Sequence, residues 1–207
     1  MSLTDEIAAC QECINLDCAY RLKINEKPYV VFEVAEKWLP NGRVNVLFVA
    51  ESPPWNGEQR YFYNTLRTGK QAGLRKEVLK HLNCPSLEAF KGKGYFLVDA
   101  IKCRLNKKDN STVPSKVLEQ CRAKFLGKEI MLLRPEVIFV LGNSGKKALE
   151  GLHSRPEFSE FIDLGEHKVT ENYDKALSGF RVILCAHPGG QTRNYEKNIR
   201  QAFSRIK

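Results

Sequence analysis

The sequence predicts an α/β domain: a three-layer sandwich in which a central four-stranded parallel sheet is flanked by helices. Three observations carry this. Four short apolar runs rich in β-branched residues are spaced along the chain, segments of helical periodicity lie between them, and each run gives way to polar, glycine- or proline-bearing residues. Parallel strands need long crossovers, so alternation of strand and helix implies a sheet covered on both faces. The 207 residues are 43% hydrophobic and 10% aromatic, enough for one core. No repeat, linker or low-complexity tract divides them, so a single domain is expected over 1–207.

The strands are expected at 44–50 (VNVLFVA), 95–101 (YFLVDAI), 137–141 (VIFVL) and 182–186 (VILCA). Each is apolar on both faces, as a buried parallel strand must be. Between the first two, residues 64–82 place Leu66, Leu74, Val78 and Leu82 on roughly one side of a helix. Between the second and third, residues 115–133 align Val117, Leu118, Cys121, Phe125, Ile130 and Leu133. A short helix is expected over 144–152, capped by Asn143 or Ser144, and another over 195–206. Residues 29–39 (YVVFEVAEKWL) fit strand or helix equally.

The charge balance is 33 Lys and Arg against 24 Asp and Glu, a net charge of +9. A basic globular domain points to a polyanionic partner, most often nucleic acid. No apolar run reaches the roughly 18 residues a membrane span needs. The N-terminus lacks the basic start and apolar stretch of a signal peptide, and a cytoplasmic protein is expected. The seven cysteines are odd in number and suit no disulfide framework in that setting. Cys10 and Cys13 form a C-x-x-C pair, so metal or cluster ligation competes with buried free thiols.

In a doubly wound sheet the ligand sits beyond the carboxyl ends of the strands. The first strand is followed by Glu51-Ser52-Pro53-Pro54-Trp55. The second carries Asp99 and then Lys102-Cys103-Arg104. The third leads to Gly142-Asn143-Ser144, and the fourth to His187-Pro188-Gly189-Gly190. Titratable and glycine-rich residues are thus expected to gather at one edge.

These junctions resemble the uracil-DNA glycosylase superfamily over roughly residues 44–200, and most closely its iron–sulfur family 4 branch. Ala50-Glu51-Ser52-Pro53-Pro54 stands where that branch has G-E-A-P-G. Tyr61-Phe62-Tyr63-Asn64 stands for P-F-V-G, and Asp99-Ala100-Ile101-Lys102-Cys103-Arg104 for N-x-x-K-C-R. Leu133-Arg134-Pro135-Glu136-Val137-Ile138-Phe139-Val140-Leu141-Gly142 matches L-R-P-K-V-I-x-x-L-G, and His187-Pro188-Gly189 matches H-P-S/A. The resemblance implies a glycosylase that flips a uracil or other deaminated base out of DNA and hydrolyses its glycosidic bond. The alternative is a catalytically silent DNA-binding or Fe–S protein of the same fold.

The resemblance also implies roles. Glu51 orients or deprotonates the attacking water, with Ser52 secondary, and His187 donates to the base oxygen that gathers negative charge. Phe62 stacks on the base, within a pocket that includes Ala50 and Pro53. Asp99 replaces an Asn whose amide would pair with uracil. An ionised Asp offers acceptors only, so either the carboxyl is protonated or the base presents donors. Lys102, Arg104, Lys107, Lys108, Gly189, Gly190 and Arg193 are expected against DNA. Cys10, Cys13, Cys103 and Cys121, the last two with 17 residues between them, would hold a [4Fe–4S] cluster, with zinc as the alternative. No lysine is singled out as a Schiff-base nucleophile, so a monofunctional enzyme is expected; separately, a monomer is expected.

Overall fold

The computed structural model describes residues 2–12, 27–54, 60–65, 73–105, 115–158, 164, 166–171, 173–177, 179–188 and 195–206. The strands are β1 (Val46–Ala50), β2 (Tyr95–Asp99), β3 (Val137–Leu141), β4 (Asp174–Leu177) and β5 (Phe180–Cys185), in spatial order β2-β1-β3-β5-β4. The helices are α1 (Leu3–Ala9), α2 (Pro28–Val31), α3 (Val34–Trp38), α4 (Gly73–His81), α5 (Leu87–Gly92), α6 (Ser115–Cys121), α7 (Gly127–Leu133), α8 (Gly142–Glu150) and α9 (Glu196–Ser204).

The four expected strands are all present and parallel, pairing as β2 with β1, β1 with β3 and β3 with β5. A fifth strand, β4, adds to the expected four and runs antiparallel to β5. It is too short and polar (DKAL) to stand out in the sequence. Arg181 on β5 fastens it through a two-pronged bond to Asp174, at 2.7 and 2.6 Å.

The layers follow from strand alternation. Phe48 and Phe139, side by side in register, meet Phe90 of α5 and Phe203 of α9 at ring separations of 4.7–6.3 Å. On the opposite face, α8 packs on Val49 and Val140, close enough that a Cβ on Gly145 would lie 2.8 Å from the Val49 carbonyl oxygen. β2 is an outer strand, and its free edge is covered by Tyr63. The Tyr63 hydroxyl accepts from the Leu97 N–H at 2.6 Å and donates to the Leu97 carbonyl at 3.0 Å. That satisfies backbone groups an edge strand would otherwise leave open.

Residues 29–39, ambiguous in sequence, form two short helices, α2 and α3, broken by Glu33 in the left-handed region (φ 48°). Trp38 of α3 stacks on Tyr63, and Phe32 on Tyr61. The expected helix over 115–133 is present but interrupted by a π turn at Arg122–Leu126, where the Gly127 N–H bonds back to the Arg122 carbonyl. Helix α1 begins with a capping box between Ser2 and Asp5. Ion pairs from Lys128 to Glu6 (2.5 Å) and from Lys124, in the π turn, to Glu12 (2.7 Å) tie the N-terminal segment to this long helix.

Candidate functional site

β1, β3 and β5 lie side by side, so the residues that follow them emerge together at the carboxyl edge. The β1–β2 ladder continues past both strands, from the Ala100 N–H to the Ala50 carbonyl (2.8 Å) and from the Ile101 N–H to the Glu51 carbonyl (2.9 Å). Glu51 therefore has its backbone fixed by the β2 side. Its half-buried side chain accepts a hydrogen bond from the Ser144 hydroxyl of α8. His187, exposed two residues beyond β5, packs against Gly142, where an added Cβ would sit 3.1 Å from the His187 Cβ. Gly142 has φ +79°, a conformation that favours glycine. The first turn of α8 is thus next to both: Ser144 bonds the carboxylate, and Gly142 lies close against the His187 side chain.

Asp99 ends β2 opposite Ala50 and is buried, at 7% exposure. Burial pushes its carboxyl up to about 7, with Lys102 opposing, Glu129 adding and Arg104 opposing. Pro53 and Ala50 are buried and Ser52 is half-buried.

Three expectations change. Lys102 does not face DNA. Its ammonium is 1% exposed and donates to the Asp99 carbonyl (2.6 Å) and to Glu129 (2.6 Å), itself 1% exposed. Arg104 is likewise buried, and its guanidinium donates to the Pro54 carbonyl at 2.6 Å, bracing the loop after β1 rather than offering itself to a phosphate. Phe62 is 3% exposed and its ring packs on Tyr63 and Phe90, so it belongs to the core. Arg75 holds this aromatic turn through the Phe62 and Asn64 carbonyls. Lys107, Lys108, Gly189, Gly190, Arg193 and Cys13 lie outside the described residues.

Of the expected sulfur ligands, Cys103 and Cys121 are buried and Cys10 is half-buried. Burial pushes the Cys103 thiol up to about 12, with Cys121 and Cys10 adding to that push and Lys27 opposing it. These three cysteines, distant in sequence, therefore share one electrostatic neighbourhood. Such a set of soft donors fits a group that brings compensating positive charge. Among the described residues, no three His, Cys, Asp or Glu side chains are arranged to hold one metal ion.

Glu129 and Ser144 were not legible as site residues from the sequence. Glu129 did leave a trace, since it falls among Phe125, Leu126, Ile130 and Leu133 on an otherwise apolar helix face. Two open clefts, of about 550 and 410 Å³, lie at the amino ends of β1 and β2, away from Glu51.

A mostly parallel sheet with a carboxylate, an imidazole and a buried carboxyl at its carboxyl edge defines an α/β protein, and that edge is where such folds usually bind ligands. The chain matches the uracil DNA glycosylase superfamily over residues 37–207, and it belongs to that family. It is therefore a glycosylase-like hydrolase of a family that acts on DNA. No curated protein matches the sequence. No helix among the described residues is long and apolar enough to cross a membrane.

Proposed function

We propose that the protein is a monofunctional DNA base-excision glycosylase that hydrolyses the bond between deoxyribose and uracil, or another deaminated base, after flipping that base from the stack. The observation that carries this reading is the approach of both Glu51 and His187 to one helix turn, in a chain of this family.

In the reaction the C1′–N bond breaks and its electron pair leaves with the base. His187 donates a hydrogen bond to the base oxygen on which that charge collects, a contribution of about 3 kcal/mol for a well-aimed donor. Glu51 orients a water toward C1′ and takes its proton, and its charge favours the cationic sugar. Ser52 helps place that water. Asp99, when protonated below about pH 7, presents one donor and one acceptor and so imitates an amide toward uracil. Ionised, it suits a base that offers donors instead. Gly189, Gly190, Arg193, Lys107 and Lys108 contact the DNA backbone. The enzyme acts as a cytoplasmic monomer.

Cys10, Cys13, Cys103 and Cys121 would hold a [4Fe–4S] cluster, or alternatively zinc, and that group would supply a structural brace with no part in bond cleavage. The brace would join the N-terminal segment, the loop after β2 and the end of α6.

The test is incubation of the purified protein with single- and double-stranded oligonucleotides carrying uracil, hypoxanthine, xanthine or mismatched thymine. Alkali-labile abasic sites should appear with at least one substrate and vanish with His187→Ala. Tight, salt-sensitive DNA binding without cleavage of any substrate would overturn the reading in favour of a silent binder.

A further inference from the structure

The tetrapeptide Gly142-Asn143-Ser144-Gly145 looked in sequence like a turn that merely starts a helix, with Asn143 or Ser144 as its cap. In the structure the cap position falls on Leu141 and carries no side-chain cap, and Ser144 is the third residue of α8. A serine in a first turn ordinarily spends its hydroxyl on nearby backbone. Ser144 instead reaches across 93 residues of sequence to the Glu51 carboxylate.

Two glycines bring the turn this close. At Gly145 a Cβ would stand 2.8 Å from the Val49 carbonyl oxygen and 3.2 Å from the Val140 side chain, so α8 rests directly on the end of β1. At Gly142 a Cβ would stand 3.1 Å from the His187 Cβ. The turn itself carries no charge. Among the described residues, the charged and titratable groups on the neighbouring elements include Asp99, Lys102, Cys103 and Arg104 on the β2 side, Cys185 and His187 on the β5 side, and Lys146, Lys147 and Glu150 on α8 itself. Within this turn, the hydroxyl of Ser144 donates to the carboxylate.

We propose that Ser144 is a positioning residue for the excision reaction, fixing the rotamer of Glu51 and holding its carboxylate ionised, while Gly142 and Gly145 supply the clearance that lets one turn serve Glu51 and His187 together. The role assigned to Glu51 in excision rests on the reading above; the Ser144–Glu51 link does not. A hydroxyl that donates to a carboxylate favours its charged form, and such charge-assisted bonds are among the stronger ones.

The experiment measures the Glu51 titration by carbon NMR of its side-chain carboxyl in wild type, Ser144→Ala and Ser144→Thr. Glu51→Gln identifies the signal, and thermal melting checks the fold. Ser144→Ala should raise the Glu51 midpoint by about one pH unit, and Ser144→Thr, which keeps the hydroxyl, should restore it. In single-turnover excision, Ser144→Ala should be roughly tenfold slower at neutral pH, with its acidic limb moved upward and its DNA affinity unchanged. It should cost nothing further in the Glu51→Gln background. An unchanged Glu51 midpoint in a folded Ser144→Ala variant would refute the proposal, even if the protein is an active glycosylase. If Ser144→Ala does not fold, a Ser144→Thr variant whose Glu51 midpoint departs from wild type would refute it equally. If the wild type cleaves no substrate, the functional reading fails, while the titration still decides whether Ser144 governs Glu51.

Discussion

Replacing Asp99 by Asn tests the unusual carboxyl at the end of β2, because asparagine has the shape of a protonated aspartate and no charge to lose. Asp99 is 7% exposed and burial raises its carboxyl to about 7. An aspartate in the unfolded chain titrates near ~3.9. The gap of roughly three units is worth about 4 kcal/mol at the conversion of about 1.36 kcal/mol per unit. The folded state binds the proton more tightly, so the contribution to stability is complete below pH ~4 and is lost progressively as pH rises through about 7. Asp99→Asn should therefore match wild type in urea or thermal melts near pH 4. It should then become increasingly the more stable protein, by up to about 4 kcal/mol above pH 8. For a domain of this size that ceiling corresponds to about 8–16 °C in Tm. The activity should follow the same group: wild-type cleavage of uracil should fall as pH rises through about 7, while Asp99→Asn should not share that limb. A stability gap that does not vary with pH, or a variant less stable than wild type at pH 8, would show that Asp99 does not titrate as a buried acid.

Other consequences follow from the same framework. Lys102→Met leaves the Glu129 charge buried without its partner, and chemical denaturation should show a loss of about 3–5 kcal/mol. Adding Glu129→Leu should recover most of that loss, since an apolar pair can replace a buried ionic one. Tyr63→Phe strips the hydroxyl from the Leu97 N–H and carbonyl and should cost about 1–3 kcal/mol, read by urea melts. Gly145→Ala forces a methyl toward the Val49 carbonyl and should cost about 1–3 kcal/mol, together with a larger fractional loss of excision rate than of DNA affinity. If the four cysteines hold a cluster, anaerobically purified protein will be brown with a broad absorbance near ~400 nm, and Cys121→Ser will bleach it; a colourless protein containing zinc would select the other metal.

The sheet was readable because its parallel strands must be apolar on both faces, and VLFVA and VIFVL leave little else to be. β4 was hidden because an outer antiparallel strand needs no such run. The site was readable as a set of junctions, since strand order alone brings the residues after β1, β3 and β5 to one edge. What each side chain does there was less readable. Lys102 and Arg104 look like phosphate ligands beside a strand end. Their partners, Glu129 and the Pro54 carbonyl, are 27 and 50 residues away, and only the folded chain reveals that both cations are spent internally. The aromatic triplet suffers the same ambiguity, because a ring that packs and a ring that stacks on a base have the same composition.

The π turn between α6 and α7 has a bearing on that buried pair. Its bond from Gly127 to Arg122 spans five residues where a regular α-helix spans four. Everything after it is rotated by about 100° relative to an unbroken helix, the angular step of a single residue. Cys121 precedes that phase shift and Glu129 follows it, so one continuous rod points its sulfur and its carboxylate in independently chosen directions. Excising one residue between 122 and 126 would straighten the rod and keep Glu129 facing Lys102, whereas a regular helix through every residue would swing the carboxylate away by about 100°.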